Sequence, residues 1–180
     1  EVDIAVIDEF KNWINEVADT FQGIDIYIHN VSAQSFDWNK CFQIDIFACS
    51  QGIETVIPYL KQSKHGSIVA IASKAAMLSV PLYKPYSAMK AALISYMSSL
   101  SHELAIYKIR VNCVSPGETY FSGGFWERMK EEEPDLYNDT SSKNITGRFA
   151  TPKEMAKAVV VLSSPAASYI SGTNLMVDGG

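Results

Sequence analysis

The chain has 180 residues, with 15 lysines and arginines against 20 aspartates and glutamates and a formal net charge of -5. Hydrophobic residues make up 47% and charged residues 19%, which excludes a disordered segment and suits one domain large enough to bury a core. With an acidic balance and no basic cluster, binding to nucleic acid by phosphate neutralisation is excluded, and no run approaches the ~18–20 apolar residues needed to cross a bilayer.

Ile7, Phe10, Ile14, Val17 and Phe21 recur at helical spacing, and Gly23 stops that helix. Residues 24–28 read as a short β-branched strand. A helix follows from Asp37 to Leu60, its last turn loosened by Pro58. After the turn Lys64-His65-Gly66, residues 67–72 form a buried-type strand. A third helix covers residues 86–107, a third strand residues 109–114, and one or two short helices fall between Glu118 and Gly147. Pro152 then suits the first turn of a helix ending near Leu162, with Thr151 as its N-cap, and residues 174–177 form a last strand. Strands alternating with helices at these lengths predict βαβ crossovers. The fold class is α/β, a doubly wound and mostly parallel sheet in one domain without repeats. Ligands of such sheets bind beyond the carboxyl ends of the strands, which directs attention to residues 29–32, to Ser73 and to residues 115–119.

Cys41, Cys49 and Cys113 are odd in number and form no CxxC pair, and His29, His65 and His102 are scattered. Neither a disulfide framework nor a metal site is expected. The first residues carry no basic flank or apolar signal core, so the sequons at Asn30, Asn138 and Asn144 read as accidental and the expected location is cytoplasmic.

Tyr86 and Lys90 are four residues apart, so a helix presents both on one face. An ammonium there favours the phenolate and makes the tyrosine a proton donor or acceptor near neutral pH. Such a pair is common by chance, and its plain reading is a helix-start tyrosine beside a solvated lysine. Ser73 adds weight, because it ends a strand at the ligand rim thirteen residues before Tyr86. Its hydroxyl could bond a substrate carbonyl oxygen that Tyr86 protonates, or it could simply cap a turn.

Six blocks in order carry a family resemblance: Gly23-Ile24-Asp25-Ile26-Tyr27-Ile28-His29-Asn30-Val31-Ser32, Gly66-Ser67-Ile68-Val69-Ala70-Ile71-Ala72-Ser73, Tyr86-Ser87-Ala88-Met89-Lys90, Val111-Asn112-Cys113-Val114-Ser115-Pro116-Gly117, Gly147-Arg148-Phe149-Ala150-Thr151-Pro152-Lys153-Glu154-Met155-Ala156, and the closing Ser171-Gly172-Thr173-Asn174-Leu175-Met176-Val177-Asp178-Gly179-Gly180. The chain resembles the short-chain dehydrogenase/reductases over nearly its whole length. That resemblance implies a Rossmann-like fold and reversible hydride transfer between NAD or NADP and a small carbonyl/alcohol substrate. It implies Tyr86 as general acid/base, Lys90 as the group that lowers its pKa and bonds the nicotinamide ribose, and Ser73 as the residue orienting the carbonyl. Asn30 would lie beside the cofactor ribose and Asp3 with Ile4 at the adenine. Pro116 and Gly117 would form the loop under the nicotinamide, with Thr119 near its carboxamide.

The sequence departs from the family at several points. No G-x-x-x-G-x-G occurs before Asp3, so the resemblance covers the C-terminal two-thirds of the fold and the N-terminal βαβ units are expected to be missing. Asp45 stands where the family commonly has an asparagine in a proton relay to the lysine, which implies an altered relay. His29 replaces an asparagine and reads as a satisfied strand-end residue. Phe121 stands where a threonine is usual, and the aromatic residues from Tyr120 to Trp126 read either as a substrate lid or as a small core. The helix after Tyr86 is apolar on more than one face, which with the preceding helix implies a homodimer or homotetramer. A catalytically silent binding or oligomerisation module is the competing reading, favoured by the missing Gly-rich turn and opposed by the joint presence of Ser73, Tyr86 and Lys90.

Overall fold

A computed structural model describes residues 1–78 and 83–180. Strands β1 (Ile26–His29), β2 (Ser67–Ile71), β3 (Arg110–Pro116) and β4 (Asn174–Val177) form a sheet in the order β1-β2-β3-β4, with every neighbouring pair parallel. Helix α1 (Ile7–Phe21) precedes β1. Between β1 and β2 runs a helical stretch composed of α2 (Trp38–Cys41), a π-helical segment (Phe42–Ala48) and α3 (Cys49–Leu60). Helix α4 (Lys84–Leu104) lies between β2 and β3, and α5 (Phe125–Glu132), α6 (Pro134–Lys143) and α7 (Pro152–Ser163) lie between β3 and β4. This is the doubly wound α/β arrangement expected from the alternation of apolar patterns.

Both sheet faces are covered, because strand side chains alternate between them. Ile68 and Ala70 of β2 enter one core with Phe10 and Ile14 of α1, Ile53 and Val56 of α3, and Leu93, Met97 and Leu104 of α4. Val69, the residue between them, packs on the opposite face with Val114, Val159 and Leu162. Gly52 lets α3 approach β1: a Cβ there would run into the Tyr27 hydroxyl and the Phe10 ring. On the outer edge of β1, Ile26 and Ile28 are each 45% exposed.

Boundaries shift where polar groups decide them. β1 begins at Ile26, two residues later than the pattern suggests. The helix expected between Asp37 and Leu60 contains a seven-residue π-helical segment that the hydrophobic spacing does not reveal. α4 starts at Lys84, with Pro85 in its first turn, and ends at Leu104 before a 3-10 turn. Thr151 opens α7 as expected, its N–H (2.8 Å) and hydroxyl (2.9 Å) donating to the Glu154 carboxylate, which also receives the Arg148 guanidinium.

Buried polar side chains fasten the last strand. Asn112 Nδ2 donates to the Ile170 carbonyl (3.0 Å), and its Oδ1 accepts from the Thr173 N–H (3.1 Å). Ser115 donates to Asn174 Oδ1 at 2.6 Å. At the other end of β3, Arg110 donates to the carbonyls of Leu162 (2.5 Å), Ser163 (3.1 Å) and Ser164 (3.1 Å), filling the unpaired C-terminus of α7. Among the described residues no helix is long and apolar enough to cross a membrane, and the three cysteines are buried free thiols.

Arg110→Ala leaves three helix-end carbonyls without their donor, and we expect a loss of about 2–3 kcal/mol, read as a lower urea midpoint at unchanged m. Arg110→Lys restores only part, since an ammonium cannot span three acceptors in one plane; full recovery by lysine contradicts this account.

Candidate functional site

The site is built where β2 ends. Ser73 is extended (φ -166°) and caps a 3-10 turn (Lys74–Ala76), its Oγ accepting the Ala75 N–H at 3.1 Å. The same hydroxyl lies close enough to the Tyr86 phenol to influence its titration. The turn-cap reading of this serine holds, and the cap leaves it on the cavity wall. Tyr86 and Lys90 lie one turn apart on α4. Lys90 is buried, and its Nζ donates to the Ile71 carbonyl (2.8 Å) and lies 3.0 Å from Asp45 Oδ1. Asp45 comes from the π-helical segment and is wholly buried, with Oδ2 accepting the Ala33 N–H at 3.4 Å.

This pairing changes the electrostatics expected from the sequence. The Lys90 ammonium faces Asp45 and lies 5.7 Å from the centre of the Tyr86 ring. The Tyr86 phenol stands above its ordinary pKa because of burial, the Ser73 hydrogen bond working the other way and the Asp45 charge adding to the rise. Burial is therefore the largest influence on how the phenol titrates in this fold.

His29, at the end of β1, has Nδ1 3.3 Å from the Tyr27 hydroxyl, while its buried Nε2 has no partner among the described residues. Burial first, then the Lys90 charge, lowers its pKa to about 4, against the opposing pull of Asp45 and a backbone hydrogen bond with Ile44. The expectation of a satisfied histidine is met on one side of the ring only.

A cavity of about 830 Å³ opens beyond the strand ends. Asn30, Ser73, Tyr86, Lys90, Pro116, Gly117 and Thr119 all line it, so seven of the sequence candidates converge. Asp45 stands behind Lys90. Asp3 and Ile4 lie elsewhere: Asp3 accepts the Ala5 N–H (2.9 Å), and Ile4 is a core residue beside a smaller cavity of about 400 Å³ along β1, which Asn30 also touches. Gly117 lines the main cavity and packs tightly on Asp178, since a Cβ there would come within 2.6 Å of the Asp178 Cβ. Thr119 Oγ1 donates to the Gly117 carbonyl (3.1 Å).

The aromatic segment borders the cavity and also packs internally. Phe121, Phe125 and Trp126 line the cavity, and Trp126 also packs on Phe149 at 4.7 Å. Other lining residues were not among the sequence candidates: Tyr83, Arg128 and Lys74, which pairs at 2.6 Å with Glu118 of the 115–119 segment. Tyr83 and Lys74 adjoin recognised motifs, a signal that could have found them. Arg128 has no sequence signal. Among the described residues no cluster of three metal-ligating side chains occurs.

A family model described as enoyl-(acyl carrier protein) reductase matches residues 1–180. The chain is 33% identical to isoepoxydon dehydrogenase patN of Penicillium expansum, aligned over 99% of the chain and 71% of that protein. It is 32% identical to dehydrogenase/reductase SDR family member 4 of Rattus norvegicus, over 93% of the chain and 62% of the relative. Ligand-free aldohexose dehydrogenase of Thermoplasma acidophilum superposes with a TM-score of 0.91 at 26% identity, covering 100% of this chain and 76% of that one.

The His29 environment gives a pH signature. Its folded pKa lies below the unfolded value, so the unfolded chain takes up the proton first as pH falls from about 6.5 towards 4, and stability drops in that window. We expect urea unfolding to show a loss of roughly 2–3 kcal/mol between pH 7 and pH 4.5 that disappears from the His29→Gln variant. Equal pH slopes for the two proteins contradict the assignment.

Proposed function

Because the chain belongs to the short-chain dehydrogenase/reductase family, we propose that it transfers a hydride between NAD or NADP and a small carbonyl/alcohol substrate, with Tyr86 moving the proton. The family relation gives an oxidoreductase function. The observation that supports this finer reading is the convergence of Ser73, Tyr86 and Lys90 on one cavity at the strand ends. A carbonyl oxygen placed between the Ser73 and Tyr86 hydroxyls accepts a hydrogen bond from the first and the proton from the second. Burial that holds the phenol neutral suits this donor role.

The residues present fit a nicotinamide nucleotide. Lys90 Nζ donates to the Ile71 carbonyl and forms an ion pair with Asp45, and its remaining donor capacity suits a ribose hydroxyl. Asn30 faces the same cavity from the end of β1, and Gly117 adds no side chain to the wall it shares with Pro116. The bound nucleotide supplies or accepts the hydride. Asp45, paired directly with Lys90, accepts hydrogen bonds but donates none when ionised, so the proton that replenishes Tyr86 travels on the Lys90 side of the pair. Asp3 and Ile4 keep their place in this reading as the adenine side, reached along the smaller cavity beside β1. Half-exposed Trp38 and Phe42 support a homodimer or homotetramer, and the unbridged thiols suit a reducing, cytoplasmic location.

Two measurements test the proposal. Calorimetric titration with NADH and then NADPH identifies the cofactor, and a folded, monodisperse sample that binds neither returns the chain to the silent-module reading. Against a carbonyl panel, Tyr86→Phe is expected to lower kcat by about 10²–10⁴-fold with little change in cofactor affinity, and Asp45→Asn to shift the pH–rate profile. Turnover that survives Tyr86→Phe removes the tyrosine from its role, and an unchanged profile in Asp45→Asn removes the relay.

A further inference from the structure

We infer that the cavity takes a flat, ring-shaped carbonyl compound bearing a carboxylate, with the ring against the Tyr83–Phe125 wall and the carboxylate on Arg128. This rests on the oxidoreductase reading and adds a substrate class to it.

The charge balance of the cavity comes first. Its charged lining residues are Lys74, Lys90, Glu118 and Arg128. Lys90 is matched by Asp45 at 3.0 Å and Lys74 by Glu118 at 2.6 Å. Arg128 has no carboxylate within ion-pair distance among the described residues, and the adjacent Glu127 accepts from the Gly123 N–H (2.7 Å) and the Ser122 hydroxyl (3.3 Å) instead. The cavity therefore presents one uncompensated cation, carried by the side chain best shaped to grip a carboxylate with two parallel hydrogen bonds.

The order of the groups comes second. Tyr83 meets Tyr86 edge-on with ring centres 6.3 Å apart, and meets Phe125 edge-on at 5.6 Å. Arg128 follows Phe125 by three residues on α5, on the same side of that helix, and both line the cavity. From Tyr86 through Tyr83 and Phe125 to Arg128 the surfaces thus run phenol, aromatic rings, guanidinium. The small polar side chains Asn30, Ser73 and Thr119 come from the strand ends, away from the Tyr83–Phe125 rings. A molecule that offers a carbonyl oxygen at one end, a flat ring in the middle and an acid at the other satisfies all three surfaces, whereas an open polyol would leave its hydroxyls against aromatic carbon.

The test uses two ketones of equal shape, 4-acetylbenzoate and its neutral amide 4-acetylbenzamide, reduced by the full chain with its preferred nicotinamide. The carboxylate is expected to have about a tenfold higher kcat/KM, carried in KM and weakened by salt. In Arg128→Gln the ratio should fall to near one, and in Arg128→Glu it should invert. Equal use of both ketones by the wild type overturns the inference. So does a loss in Arg128→Gln that is the same for both ketones, or one that appears in the KM of the nucleotide, which would assign the charge to the cofactor. Calorimetric binding of 4-acetylbenzoate separates this from failure of the oxidoreductase reading. Arg128-dependent binding without turnover keeps the ligand class and removes the reaction, while turnover of the neutral ketone alone does the reverse. Absence of both removes both.

Discussion

Two opposite charges, the Lys90 ammonium and the Asp45 carboxylate, lie 3.0 Å apart with almost no exposure to water, and the geometry of the site follows from holding them there. Either charge alone in that position would carry a desolvation penalty of several kcal/mol, so each fixes the other. The contact draws the π-helical segment onto α4, and the Lys90 hydrogen bond to the Ile71 carbonyl fastens both to the end of β2. Tyr86 is one turn from Lys90 and Ser73 two residues beyond Ile71, so the positions of both hydroxyls descend from this knot of three elements.

Burial, more than the charge pair, sets the direction in which the phenol titrates: it raises the Tyr86 pKa, and the Asp45 carboxylate adds to the rise. A residue of the π-helical segment therefore acts through its charge on a tyrosine one turn from the lysine it faces.

Strands, helices and the carboxyl-end location of the cavity were legible in the sequence because they rest on local pattern: apolar runs at 68–72 and 111–114, and helical spacing in α1, α4 and α7. Ser73, Tyr86 and Lys90 were legible through their spacing and the ordered blocks around them. The π-helical segment was not, since one widened turn leaves the apolar periodicity of its neighbours intact while re-aiming Asp45 inward. Tyr83, Arg128 and the Lys74–Glu118 pair were hidden for a different reason. Their meeting depends on how α5 and the turn after β2 come together in space, which no local pattern encodes. Asp3 and Ile4 show the converse, a family position recognised in the sequence whose residues in this fold lie away from the main cavity, one in a turn and the other in the core.

Every buried residue of the larger core lies before Pro116, whereas Phe121, Phe125, Trp126, Arg128 and Met155 of the chamber wall come later in the chain. During synthesis from N- to C-terminus that core can therefore assemble before the wall exists. A nascent chain can hold a largely formed hydrophobic core before it can hold a ligand. Small molecules that occupy the chamber would consequently stabilise the assembled fold selectively against earlier, partly assembled forms.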